Sequence, residues 1–124
     1  MEHPYTKKWI GIVGPCGSGK STLMEKLEAL GYRCRHIAQE HSFAPTMWRV
    51  IANPDALIYL NASFHSIVAR KKFNWQTADY EEQLRRLAHA REQADLIIET
   101  DSLTPNEILQ IALNFISTLD RKKV

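Results

Sequence analysis

Cysteine, glycine and long apolar runs are all scarce in this chain of 124 residues. Two cysteines, Cys16 and Cys34, make no disulfide framework, and reduced thiols in a cytosol are the expectation. No apolar run approaches the length of a membrane span, so no membrane partner is expected. The first residues, MEHPYTKK, are polar and lack the apolar core of a secretory leader, which points to a cytoplasmic location. A formal net charge of +2 gives no push toward nucleic acid or membrane. Internal repeats, low-complexity tracts and long linkers are missing too. The remaining composition, 44% hydrophobic and 24% charged, is that of an ordinary globular protein. The length predicts one domain, residues 1–124, able to bury a core without staples.

Short apolar runs alternate with helical periods. Strands are expected at 9–14 (WIGIVG), 32–38 (YRCRHIA), 56–60 (ALIYL) and 95–99 (DLIIE). A helix is expected over 20–30, with Leu23, Leu27 and Leu30 on one face and Gly31 as its stop. Pro45 opens a short helix over 45–52. Another helix runs 64–72, capped by Ser63, and a longer one spans roughly 77–94 with Tyr80, Leu84, Leu87, Ala88 and Arg91 in register. Thr104-Pro105-Asn106-Glu107 is a capping box ahead of an apolar stripe from Ile108 to Leu119. Strands alternating with helices predict an α/β fold: three layers, αβα, around a small parallel sheet of about four strands.

Of the few glycines, three crowd into Gly14-Pro15-Cys16-Gly17-Ser18-Gly19-Lys20-Ser21-Thr22. This stretch fits G-x-x-x-x-G-K-[ST], the Walker A pattern, with a strand before it and a helix after it. Glycines let successive N–H groups converge on an anion, and the helix start aims its free N–H groups and dipole at the same point. Lys20 then reaches the β- and γ-phosphates, and the Ser21 hydroxyl can ligate Mg²⁺. The loop is therefore expected to hold nucleotide phosphate. Cys16 sits in the loop near a helix start, where thiols can be reactive; a small side chain tolerated in the loop accounts for it as well.

Acids and bases follow the strand ends. Gln39-Glu40-His41-Ser42 comes after the second strand, on the ligand side of a doubly wound sheet. Glu40 could hold a Mg²⁺-bound water or take a proton from an acceptor hydroxyl; His41 could serve the acceptor too. The strand ALIYL ends in Asn61-Ala62-Ser63 without the carboxylate that would normally complete a metal site. Glu99 and Asp101 follow the last strand and are expected nearer the base. Arg70-Lys71-Lys72 ends one helix, and Arg85, Arg86 and Arg91 lie on the next, with Phe73-Asn74-Trp75-Gln76-Thr77 between. That segment reads as a lid over phosphates or as a nucleic-acid patch. For Lys71 and Lys72 a solvated surface is expected, and for Arg86 a phosphate or substrate role.

On these residues the chain resembles the small P-loop kinases of the shikimate kinase and nucleoside monophosphate kinase type. Arg86 to Asp95, RLAHAREQAD, is similar to the shikimate kinase pattern R-x-P-L-Y-x-E-x-A-D at Arg86, Glu92, Ala94 and Asp95; the centre of the pattern departs. LIIETDSLTPNEI resembles the final strand and the loop that borders the adenine. The resemblance implies a P-loop NTPase fold, ATP on the loop, Mg²⁺ on Ser21 with Glu40, a lid near 73–86, and base contacts from Thr100 and Thr104. It implies an acceptor contact for Arg86. The segment 39–55 is short for the acceptor-binding elements of that family, so the acceptor does not carry over.

The expected function is Mg²⁺·ATP binding with transfer of the γ-phosphoryl group to a small hydroxyl or phosphate acceptor. Lys20, Glu40 and Arg86 would act in catalysis, with Arg91 closing on phosphates. Two rival readings remain: a nucleotide-binding module or NTPase without kinase activity, and a nucleic-acid kinase or RNA-linked NTPase resting on Arg70 to Trp75. The balanced charge disfavours nucleic acid. No N-K-x-D motif reads guanine, and uncovered sheet edges would suit a homodimer.

Overall fold

The computed structural model describes residues 7–71 and 74–119. Four strands form one parallel sheet: β1 (Trp9–Val13), β2 (Arg33–His36), β3 (Ala56–Asn61) and β4 (Leu96–Glu99). Their order is β2-β1-β3-β4. The helices are α1 (Lys20–Ala29), α2 (Phe64–Lys71), α3 (Thr77–Gln93) and α4 (Pro105–Ile116). A 3₁₀ turn at Gln39–His41 and a π-helical turn at Trp48–Ala52 lie between β2 and β3. Among the described residues no helix is long and apolar enough to cross a membrane.

The expected three layers are present. On one face Ile10, Ile12, Ile58 and Leu60 pack against Leu23 and Leu27 of α1 and Ile108, Ala112 and Ile116 of α4. On the other, Val13, Leu57 and Tyr59 meet Trp48 and Leu87 and Ala90 of α3. β3 lies between β1 and β4 and is apolar from Ala56 to Leu60, as a strand covered on both faces must be. Aspartates fasten the strand starts: Asp55 accepts the Trp9 N–H at 2.7 Å and Asp95 accepts the Leu57 N–H at 2.8 Å.

The helix stops follow from local chemistry. After α1 the Gly31 N–H donates to the Glu28 carbonyl and the Tyr32 N–H to Leu27, the paired bonds of a Schellman ending. At α4 the Glu107 N–H donates to the Thr104 hydroxyl while the Thr104 N–H donates to the Glu107 carboxylate, completing the expected box.

Three expectations need correction. The helix over 45–52 is a single π turn, closed by the Asn53 N–H on the Trp48 carbonyl. Only Trp48 reaches the core there, and Val50 and Ile51 stay 75% exposed, so nothing holds a longer helix against the sheet. On α3 the buried residues are Gln83, Leu87 and Ala90, while Ala88 and Arg91 face outward. Leu30 is also exposed. Lys72 and Phe73, assigned to a helix end and a lid, lie outside the described residues.

Candidate functional site

A cavity of about 500 Å³ opens beyond the C-terminal ends of β1 and β2, within the range of small-molecule sites. The order β2-β1-β3-β4 matches the first four strands of the doubly wound order 2-1-3-4-5, whose switch point lies between β1 and β3. The glycine loop leaves β1 at that crevice. Gly14 passes so close to β3 that a Cβ there would sit 2.5 Å from the Leu60 carbonyl oxygen. Gly19 precedes α1 with φ +103, and α1 then begins at Lys20. The Ser21 and Thr22 side chains are exposed at the helix start and line the cavity.

Lys20 is buried although charged. Its ammonium donates to the Gly14 carbonyl at 2.7 Å, the Pro15 carbonyl at 3.2 Å and Glu40 Oε2 at 2.9 Å. Glu40 is only 4% exposed, and its other oxygen, Oε1, is buried without a hydrogen-bond partner. His41 Nε2 stands 3.8 Å from Glu40 Oε2, with its ring mostly in solvent. The Ser18 hydroxyl is buried and unpartnered as well. Buried polar atoms are ordinarily bonded; Arg35 Nε and the Tyr59 hydroxyl are unpartnered too, but only Ser18 and Glu40 line the cavity.

The rest of the lining divides by character. Arg70 and Lys71, at the end of α2, bring positive charge, and Arg70 also donates to the Thr100 carbonyl at 3.1 Å. Leu103, Pro105 and Ile108 form an apolar wall. Lys71 stands at the rim of the cavity and is exposed, as expected of a solvated surface lysine.

Cys16, Gly17, Ser18, Gly19, Lys20, Ser21, Thr22 and Glu40 come together as expected, with Gly14 and Pro15 buried behind them. Other candidates do not join this lining. Arg86 donates from Nε to Glu82 and from Nη1 to the Glu40 backbone carbonyl, and stacks over Phe43 at 4.2 Å. Arg91 lies over the Tyr59 ring. Thr100 is fully buried and bonds the Asn61 carbonyl. Thr104 caps α4, though its neighbours Leu103 and Pro105 do line the cavity. Asn61 donates to Glu99, and Asp101 accepts the Ser63 N–H, and neither acid lines the cavity beside the glycine loop. Trp75 and Tyr80 pack on Phe64 rather than over the cavity.

Two glutamines were not legible in advance. Gln83 accepts the Cys16 N–H at 2.9 Å and so ties the glycine loop to α3. Gln39 donates to the Ala44 and Arg86 carbonyls and accepts the Trp48 N–H, fixing the turn that carries Glu40. Neither glutamine carried a local signal in the sequence, since their partners Arg86 and Cys16 lie 47 and 67 residues away. Burial pushes the Cys34 thiol up to about 12, with Glu28 adding to it, so Cys34 is a core residue.

No protein-family model matches the chain, and no curated protein matches it either. Among solved structures it is similar to ribose-5-phosphate isomerase B from Giardia lamblia, with a TM-score of 0.52 and 15% identity, over 89% of this chain and 87% of that one. At this identity the likeness concerns the fold alone. The finding overturns the resemblance to the small P-loop kinases: the similar structure is a ribose-5-phosphate isomerase. Three of the four matched positions beyond the loop have structural work. Asp95 fastens β3, Ala94 ends α3, and Arg86 braces the turn at Glu40.

Proposed function

We propose that the glycine loop binds the phosphates of a nucleoside triphosphate, ATP in the first instance, as its Mg²⁺ complex, and that the γ-phosphoryl group passes to a small acceptor. The observation that carries this reading is the Lys20–Glu40 pair, 2.9 Å apart, inside a cavity walled by glycine-loop backbone. Backbone N–H groups and the start of α1 favour an anion there. The Ser21 hydroxyl and the unpartnered Glu40 oxygen are the groups that would hold the cation. When bound, that cation neutralises phosphate charge during transfer. Lys20 spreads the charge that develops on the phosphoryl oxygens. Glu40 orients the acceptor hydroxyl and can take its proton. Leu103 and Pro105 offer an apolar surface for the base.

One observation favours a second reading, a nucleotide-binding module without transfer. Arg86 is committed to Glu82 and to the Glu40 backbone, and Glu40 is the one carboxylate among the described residues lining the cavity.

Thermal melting of the wild type and Lys20→Ala against ATP and GTP, with and without Mg²⁺, tests the binding. Inorganic phosphate and ribose 5-phosphate serve as controls for a simple phosphate ester. Ligand at 100 times its dissociation constant stabilises by about 2.7 kcal/mol. The expected result is such a shift for the wild type with Mg²⁺·ATP, and its loss in Lys20→Ala. No shift with any nucleotide removes the proposal. Turnover across a panel of hydroxyl acceptors then separates transfer from binding.

A further inference from the structure

We infer that the π turn and the arginines of β2 form a docking surface for an anionic lipid bilayer: Val50 and Ile51 enter its apolar layer while Arg33 and Arg35 meet its phosphate headgroups. Val50 and Ile51 are adjacent in the chain and each 75% exposed. Leu30 and Ile97, by contrast, are isolated partial exposures of the ordinary kind. The turn itself holds the pair out. Trp48 anchors its inner side, buried in the core with its indole N–H donating to His89 Nδ1 at 3.1 Å. Asn53 closes the turn in the left-handed region, φ 43, the one non-glycine residue of this kind among the described residues. Single π turns are rare and concentrate at functional positions.

Positive charge without partners lies on the same side of the sheet. Trp9, Gly11 and Val13 point to one face of β1, and Val13 packs with Trp48 on that face. The Arg33 and Arg35 guanidiniums lie over the Trp9 ring, 5.6 and 4.1 Å from its centre. The chain leaving the π turn runs beside them. A Cβ on Gly11, which pairs with Arg35 in the ladder, would meet Pro54 at 2.8 Å. Among the described residues neither guanidinium has an ion-pair partner, and Arg35 Nε is buried without an acceptor. A charged donor left so is costly until an anion reaches it. Asp55, next in the chain after Pro54, spends a carboxylate oxygen on the Trp9 N–H. Arg49, stacked on Trp48 at 4.9 Å, adds positive charge on the turn itself.

The occupant must answer both features. Nucleic acid would neutralise the arginines and leave Val50 and Ile51 in water. Two neighbouring side chains that protrude this far do not line a groove for a peptide. An anionic bilayer takes both, because surface binding sums the buried apolar area and the attraction of basic groups to the headgroups. The absence of a spanning helix among the described residues bears on crossing a bilayer, not on docking to its surface. Trp9 opens β1 and the glycine loop follows its end, so the arginine cluster and the loop sit at opposite ends of the strand.

Sedimentation of the full chain with vesicles of phosphatidylcholine alone, or with about 30% phosphatidylserine, tests this. The wild type should sediment with the anionic vesicles and stay in solution with the neutral ones, and salt should weaken the binding. Each basic group near such a surface contributes about fivefold, so Arg33→Gln with Arg35→Gln should lower vesicle affinity at least about tenfold. Arg33→Lys with Arg35→Lys, which keeps the charge, should retain it. Val50→Ser with Ile51→Ser should also lower it at least about tenfold, with an unchanged melting temperature because both side chains are exposed. A wild type that stays in solution with anionic vesicles overturns the inference. So does a serine variant that binds as the wild type does, since the contact is then charge attraction alone. Binding of poly-glutamate but not of vesicles gives the surface to an acidic protein and overturns it as well.

Discussion

A single methyl group distinguishes two kinds of glycine in the loop. At Gly14 an added Cβ would stand 2.5 Å from the Leu60 carbonyl oxygen and 2.8 Å from Ser18 Oγ, and the first of these is backbone that cannot step aside. At Gly19 no atom lies within 4 Å, and the obstacle is conformational only, a φ of +103. Overpacking typically costs about 1–3 kcal/mol, and a left-handed backbone for an L-residue about 1–2 kcal/mol. Gly14 carries both burdens, since its φ is +156. Gly14→Ala is therefore expected to lower urea stability more than Gly19→Ala, and the reverse order would mean that the loop does not press against β3. Lys20 was legible because its motif is short and local. Glu40 could be picked out only by its place after a strand. Gln39 and Gln83 act across 47 and 67 residues of chain, to Arg86 and Cys16, and no local pattern marks such partners.

Elements that close their own hydrogen bonds are the ones that sequence describes well. The α4 box needs Thr104 and Glu107, three residues apart, and it forms as expected. The start of α2 is only half local. Ser63 accepts the Ser66 N–H, as its position suggests, but the Ser63 N–H is taken by Asp101, far along the chain. That bond holds the Asp101 carboxyl below its usual range; the Ser63 and Ser66 side chains and Arg70 add to the effect, and partial burial opposes it. A carboxyl depressed in the folded state stabilises above its unfolded value, and the gain is lost as pH falls through the folded value. The stability gap between wild type and Asp101→Asn should therefore be present at about pH 7 and shrink below about pH 4, near the ordinary 3.8. The exposed setting keeps the gap small. Urea midpoints of both proteins at pH 7 and pH 3 decide it: a gap that does not move with pH detaches Asp101 from α2. The π turn escaped notice for the opposite reason. Its mixed apolar sequence has helical spacing, yet only Trp48 finds a surface to cover.

At the scale of the whole molecule, alternating strands and helices establish a layered parallel sheet but leave the strand order open. A glycine loop specifies how backbone wraps an anion, and that local solution does not dictate which strand lies beside β1. In this chain β2 and β3 flank it, giving the order β2-β1-β3-β4. Nine loop residues, four matches between Arg86 and Asp95 and one strand-end segment do not specify a kinase family. The two faces of the sheet are also covered unequally. α1 and α4 share one face, whereas α3 and the π turn close the other through a smaller set that includes Leu87, Ala90 and Trp48. Each buried residue there carries more of the contact between layers. Leu87 is fully buried, and truncating such a residue costs about 2–5 kcal/mol because the cavity relaxes only in part. Leu30 lies outside the core at 43% exposure, and a surface change of this kind stays within about 0.5 kcal/mol. Guanidinium denaturation of Leu87→Ala and Leu30→Ala should show that separation. Equal losses would mean that Leu87 does not pack on the sheet, and the face of α3 that carries Gln83, Leu87 and Ala90 would not be the one that closes this side of the core.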